Sequence, residues 1–361
     1  MFCLFNRRDN SDMPRLQDMP KAVMNEILSN CDFIAVCQLA KTSRYFRNFI
    51  GNSDLDHCFD RLEIVADLTT IRITLGLANS RTIDIYYENH NGKCAVHSPL
   101  TTRTCYLGRE DIAKLASHDL SRMLNMKTVM KRLEVYFYLN CSRTPLGIES
   151  VEEYEKEVLK EGEKRIREVW DTLKECLLFR DSPLQVAHFK MDLIEDTHPQ
   201  DVLSLLDQDS LLKINLVGDS HLSEWDIKQM VKMEAWKQLE EFTHIECVFK
   251  ISLHQFLHIP IVVIERKSVT KKEIKMLKKA FNYHSKIGKS IRILLPVNYN
   301  KSLLIQEFNL EPLEPESEEE EEEHTNTQYS QVEEKNEGVL VVRLTNYLEL
   351  ANETSDEEDE E

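Results

Sequence analysis

Between residues 184 and 295, short apolar and β-branched runs take turns with stretches of helical periodicity. That alternation restricts the fold more than any other feature of the chain. Strands are expected at Val186–Asp192, Leu211–Val217, Thr243–Val248, Pro260–Glu265 and Ser290–Leu295. Helices are expected between them at Pro199–Gln208, Glu224–Leu239 and Thr270–Tyr283. The second helix gathers Ile227, Met230, Val231, Ala235 and Leu239 on one side. The third opens on Thr270-Lys271-Lys272-Glu273, a capping box, and would bury Ile274, Leu277 and Phe281. Strands separated by helices favour parallel pairing through right-handed crossovers.

The uneven spacing of these units resembles a degenerate leucine-rich-repeat solenoid more than a regular one. Upstream, Arg61–Leu77 and Thr82–Tyr87 read as strands, Asn91-Gly92 as a tight turn, Arg109–Met126 as a helix and Leu133–Leu139 as a buried strand. The longest helix is expected over 150–180. Tyr154, Val158, Ile166, Val169, Trp170, Leu173 and Leu177 recur there every three or four residues until Pro183 blocks continuation. Its many Glu and Lys form a solvated face.

Residues 14–50 carry a compact three-helix pattern of their own. Pro20 suits a first turn, followed by Val23, Ile27 and Leu28. Asp32 can cap a second helix with Phe33, Val36 and Leu39. A third starts at Thr42 or Ser43 and bears Phe46, Phe49 and Ile50, ending at Gly51. Three such short helices hold more apolar positions than they can hide from water, so a partner is expected to cover the surplus.

Charge divides the chain sharply. The net charge is −18, and residues 311–361 alone hold 20 acidic and 2 basic residues. Subtraction from the totals of 63 and 45 leaves 43 of each in residues 1–310. A neutral globular part gives no electrostatic grip on a phosphate backbone, so no nucleic-acid partner is expected. Glu318–Glu323 is a run that should be disordered. Val339–Leu344 has strand character. Ser317 and Ser355 precede acidic runs, as acidophilic kinases require, although both also suit a plain polar tail. Nine scattered cysteines, never spaced as Cys-x-x-Cys, point to reduced thiols in the cytoplasm or nucleus. No stretch has the length and apolarity of a membrane span or signal core, so no membrane partner is expected.

Catalytic signatures are sparse. Nine glycines include no phosphate-cradling loop, and no Gly-x-Ser-x-Gly elbow occurs. His254 and His258 stand four apart, but Gln255 replaces the Glu of a zinc-protease motif. No cofactor, metal or catalytic residue is therefore expected. An enzyme with a dispersed site stays open.

The N-terminal motifs resemble an F-box: Met19-Pro20, Ile27-Leu28, Cys31 to Leu39, and Ser43-Arg44-Tyr45-Phe46-Arg47, with Phe46 where Trp is commonest. The chain is similar to the large nematode F-box family of the F-box A type, whose members carry a C-terminal FTH domain. The resemblance implies an α+β protein: a flexible N-terminus over 1–13, a three-helix F-box over 14–58 and an FTH-like recognition domain over 59–304. A disordered acidic segment over 305–337, a terminal strand over 338–350 and an acidic tail over 351–361 complete it. It further implies a non-catalytic substrate adaptor of an SCF-type cullin–RING ubiquitin ligase. The Skp-type adaptor would dock on Pro20, Val23, Ile27, Leu28, Phe33, Leu39, Phe46 and Ile50, with some of these filling the module's own core instead. A protein substrate would meet outward strand positions, for which His188, Lys190, Lys213, Asn215, His244 and Glu246 are the candidates. The alternatives are a scaffold independent of ubiquitin whose acidic tail binds basic partners, and an F-box weakened by its departures from the pattern.

Overall fold

The computed structural model describes residues 16–31, 35–36, 39, 42–51, 59–77, 81–90, 93–98, 104–107, 111–124, 129–138, 151–192, 197–218, 224–245, 252–283, 289–296, 299–312, 329–335, 338–344 and 347–353. Near the N-terminus, α1 (Lys21–Ser29) starts at Pro20, whose φ of −56° is set by its ring and whose carbonyl accepts from the Met24 N–H at 3.0 Å. Helix α2 (Arg44–Gly51) is capped by Ser43, whose Oγ accepts from the Phe46 N–H at 3.3 Å. Of the second helix expected between them, only residues 35–36 and 39 are described, all helical.

Fifteen described strands form one sheet. A meander of β1 (Phe59–Asp67), β2 (Thr70–Leu77), β3 (Thr82–His90), β4 (Lys93–His97) and β5 (Cys105–Leu107) makes one antiparallel flank. Residues 91–92, the expected turn between β3 and β4, lie outside the described residues. After α3 (Ile112–Leu124), strand β6 (Val129–Tyr138) returns parallel to β1. The long α4 (Val151–Leu178) follows, and then β7 (Gln185–Asp192), α5 (Pro199–Leu203), β8 (Lys213–Val217) and α6 (Glu224–Met230). The series runs on through β9 (Glu241–Ile245), β10 (Ile261–Glu265), α7 (Lys271–Tyr283) and β11 (Ser290–Leu294). From β6 to β11 each strand pairs in parallel with the next in chain order, the pairing expected of strands linked by helices. Helix α8 (Ser302–Phe308) precedes the second antiparallel flank. That flank comprises β12 (Glu311–Pro312), β13 (Tyr329–Lys335), β14 (Gly338–Leu344) and β15 (Tyr347–Glu353), with β15 against β11.

Two inward ladders cross this sheet. Leu62, Leu133, Phe189, Ile214, Phe242, Val262, Ile291 and Leu350 are register partners in sequence. Two residues along each of the parallel strands, Ile64, Val135, Met191, Leu216, His244, Ile264 and Ile293 form the second, which Leu348 ends on β15. Helix residues such as Val169, Trp170, Ile227, Ile274 and Phe281 join them in one core. Alternate side chains therefore form the opposite face.

Several elements differ from expectation. The helix expected over Pro199–Gln208 stops at Leu203, because the chain turns to set Leu206 beside Leu184, with the Asp207 N–H donating to the Leu184 carbonyl at 2.9 Å. The helix expected over Glu224–Leu239 divides into α6 and a short 3₁₀ turn, Glu234–Gln238. Extended backbone at Met233 (ψ 146°) swings Trp236 against Phe242 and Phe256, where its Nε1–H donates to the Gln255 carbonyl at 3.1 Å. The segment expected to be disordered over 305–337 begins inside α8 and ends with β13, while its centre, 313–328, lies outside the described residues. The apolar Leu304 and Phe308 hold α8 on the core.

Candidate functional site

Two surfaces stand out: the first belongs to α1 and α2. Met24, Leu28, Val36, Phe46 and Ile50 form a small core separate from the large one. Met24 and Leu28 are one helical turn apart, so they share a face of α1. Pro20, Val23 and Ile27 are also spaced by three and four and lie on a neighbouring stripe. Val23 is 43% exposed, Pro20 exposed and Ile27 half-buried. Of the expected docking residues, Leu28, Phe46 and Ile50 are thus interior, with Phe46 only 7% exposed. Leu39 is half-buried, and Phe33 lies outside the described residues. Tyr45, absent from the expected set, is 39% exposed, edge-on to Phe46 at 5.4 Å and stacked on Phe49 at 6.1 Å. The two i, i+3/i+4 stripes of α1 can be told apart only once α2 fixes which side is inside.

The second surface is the outer face of the sheet. Parity places His188 and Lys190 of β7 beside Lys213 and Asn215 of β8 on that face, with His188 paired to Lys213 and Lys190 to Asn215. Four of the expected residues are therefore brought together. His244 is not among them. Strand β9 begins at Glu241, two residues earlier than expected, and Phe242 and His244 take register with Ile214 and Leu216. His244 is 0% exposed, its ring stacked 6.4 Å from that of Phe242. Thr243 takes the outward place beside Asn215, and Glu246 lies outside the described residues.

Around this quartet the face is charged and aromatic. Glu63 and Glu134 are register partners, a repulsive pairing by itself. Arg61 sits between them, bridging Glu63 and donating to Glu134 at 2.8 Å, while Arg72 reaches Glu63 from β2. Burial opposes the Arg61 charge, but Glu134 and Glu63 outweigh it and raise its pKa. Tyr136 donates to Glu134 at 2.7 Å, and burial together with that carboxylate pushes the phenol pKa up. Lys190 lies 5.0 Å above the Tyr136 ring and the exposed Tyr138 stacks beside it at 6.4 Å. Lys213 pairs with Glu241 at 2.7 Å. Tyr and Arg held in place among shielded charges have the make-up of protein-binding hot spots.

The sequence signal for this face is a spaced apolar triplet: Met130/Leu133/Val135, Val186/Phe189/Met191, Leu211/Ile214/Leu216 and Ile259/Val262/Ile264, all buried. Leu239/Phe242/His244 repeats it with a histidine in the last place, which is what turns His244 inward. Reading outward positions as those between the last two members would have found Glu134, Lys190, Asn215 and Thr243.

Among the described residues, no three His, Cys, Asp or Glu side chains are placed to hold a metal ion. His258 Nε2 lies 2.7 Å from the Trp236 carbonyl, so this histidine braces the 3₁₀ turn. No described helix is long and apolar enough to cross a membrane.

Residues 16–58 match the F-box domain, which makes this an F-box protein. Residues 167–310 match the FTH domain and take in β7 to β11, so the chain is an F-box protein with a C-terminal FTH domain. No curated protein matches the sequence. The ubiquitin-ligase adaptor role follows from the F-box family, whose members are in general non-catalytic adaptors of SCF-type complexes.

Proposed function

We propose that this chain is a substrate-recognition adaptor of an SCF-type cullin–RING ubiquitin ligase. Its outward stripe Pro20–Val23–Ile27, with Leu39 and Tyr45, binds a Skp-type adaptor attached to the cullin. Its outer sheet face, centred on His188, Lys190, Lys213 and Asn215, holds a protein substrate. The observation that carries the first half is the exposed Val23 on a helix whose neighbouring stripe, Met24 and Leu28, is already spent on the module's own core. For the second half, we read the parallel strands as a degenerate leucine-rich-repeat-like solenoid, whose uncovered strand face is the usual recognition surface. Such an adaptor makes and breaks no bonds; it raises the local concentration of substrate lysines near the charged E2 enzyme. The compartment is the cytoplasm, the nucleus or both.

Proximity labelling under proteasome inhibition tests this. The intact protein should label the Skp-type adaptor and cullin together with substrates, and a form lacking residues 16–58 should keep the substrates and lose the ligase subunits. Labelling of ligase subunits by both forms would overturn the docking assignment.

A further inference from the structure

Tyr138, Asp67 and Asp192 are the last residues of three neighbouring parallel strands, β6, β1 and β7. Tyr138 projects from the outer face together with Tyr136, on the side opposite the buried Val135 and Phe137. The two tyrosine rings lie within 9° of parallel, with centroids 6.4 Å apart. What covers them differs. The Lys190 ammonium stands 5.0 Å over the Tyr136 ring, and that phenol is tied to Glu134 at 2.7 Å. Tyr138 is 45% exposed, and among the described residues no cation lies over its ring.

The surroundings of Tyr138 are negative. Asp67 is its register partner on β1, about 4.8 Å away across the sheet. That carboxylate is fixed in the β1–β2 turn, where it accepts from the Thr69 and Thr70 N–H groups at 2.7 and 2.6 Å. On the other side, Asp192 follows the buried Met191, the partner of Val135, and so faces outward. The cations of the adjoining strands are engaged: Arg72 with Glu63, Arg61 with Glu63 and Glu134, and Lys190 with Tyr136. Burial, then the Asp192 and Glu63 charges, push the Tyr138 phenol pKa up against a smaller opposing effect of Arg72, so negative potential reaches this ring. An exposed aromatic face edged by carboxylates attracts a cation through the ring quadrupole and through Coulomb energy, and it repels an anion.

We propose that Tyr138, between Asp67 and Asp192, seats an arginine or lysine side chain of the protein substrate. The inference rests on reading the outer face as the substrate surface, and it adds what that surface selects: a basic residue. The fold already contains the same contact one ring away, where Lys190 covers Tyr136. An acidic residue brought to this corner would instead meet two carboxylates.

The test uses the full chain labelled with meta-fluorotyrosine, in which the Tyr138 signal is the one lost from the fluorine NMR spectrum of Tyr138→Phe. The probes are the N-acetyl amides of arginine and lysine, with that of citrulline as an uncharged isostere of arginine, all at constant ionic strength. Both cationic probes should move the Tyr138 signal along a saturable curve with half-saturation below about 50 mM, and citrulline should need at least about tenfold more. Asp192→Asn should weaken the arginine probe at least about threefold. No saturable shift, an equal effect of citrulline, equal movement of every tyrosine signal, or an unchanged affinity in Asp192→Asn would overturn the proposal. Proximity labelling separates the seat from the reading beneath it. Tyr138→Ala in the full chain should lose labelled substrates and keep the Skp-type adaptor and cullin. Arginine seated at Tyr138 while Tyr138→Ala labels the same substrates would overturn the substrate assignment of the outer face. No arginine binding while Lys190→Glu with Lys213→Glu removes the substrates would overturn the seat and uphold the face.

Discussion

Phe46 and Val23 lie within the same small module, yet one is interior and the other faces water, so their substitutions separate stability from binding. Phe46→Ala should destabilise the N-terminal module by about 3 kcal/mol, because the aromatic volume has no neighbour free to refill it. Hydrogen exchange of the α1 amides checks this, and unchanged protection would show that Phe46 is not a core residue. Arg61→Ala should destabilise the large domain by about 1–2 kcal/mol, since it leaves Glu63 and Glu134 side by side; the value is modest because Arg61 itself is partly exposed. Urea unfolding measures it. At this scale the residue types were legible and their sides were not. The sequence shows that Val23, Ile27, Leu28 and Phe46 are apolar and helically spaced. Which of them point inward depends on α2 packing across α1, a contact between segments about twenty residues apart. His244 shows the same limit: β9 starts at Glu241 rather than Thr243, so Phe242 enters the strand in register with Ile214 on the core face, and His244, two residues on, shares that face.

Local signals were sufficient where the element is defined by its own chain. The capping box at the start of α7 is present as written: Thr270 Oγ1 accepts from the Glu273 N–H at 3.3 Å, and Glu273 accepts from the Thr270 N–H at 2.9 Å. Although burial works against the Glu273 charge, the bonds from Thr270 and the buried Arg266 outweigh it and hold its pKa below the usual 4.5. A depressed carboxyl pKa stabilises the fold above the unfolded-state value and loses that contribution as pH falls through the folded-state value. The stability advantage over Glu273→Gln should therefore be full above about pH 5.5 and shrink below the ordinary Glu range near 4.5, as thermal unfolding against pH would show. A pH-independent difference would mean that the charge plays no part. Elsewhere tertiary contact overrode local preference, and α4 carries the sharpest case. Gly162 is poor helix chemistry, yet a Cβ there would stand 2.8 Å from the Leu68 Cα in the β1–β2 turn, whose carbonyl accepts from Arg165. Gly162→Ala should improve helix propensity by up to about 1 kcal/mol and still destabilise the protein by about 1–3 kcal/mol through the clash. The measurement is again urea unfolding; a gain in stability would mean that α4 can retreat from the turn without loss. No periodicity argument could have marked that glycine, because its partner lies in a separate strand pair.

Across the whole molecule, the strand–helix rhythm read over residues 184–295 anticipated the parallel run from β7 to β11, since crossovers through helices leave few other pairings. It did not anticipate that β6 and β1 would extend that run, and the terminal strand expected over 338–350 is instead two strands, β14 and β15, joined by β13 at the far edge, because these pairings depend on contacts between distant segments. The charge division between residues 1–310 and 311–361 was plain from composition, whereas the grouping of His188, Lys190, Lys213 and Asn215 emerged only when register aligned β7 with β8. The proposed function divides between two parts of this architecture: one helical stripe for the ligase and one sheet face for the substrate. The stripe is the part on which everything else depends. Calorimetric titration of the full-length protein with a Skp-type adaptor measures it directly, comparing the parent with Val23→Asp/Ile27→Asp after circular dichroism has shown both to be equally folded. Loss of at least a hundredfold in affinity, about 2.7 kcal/mol, is the predicted result; affinity within threefold of the parent would contradict the account.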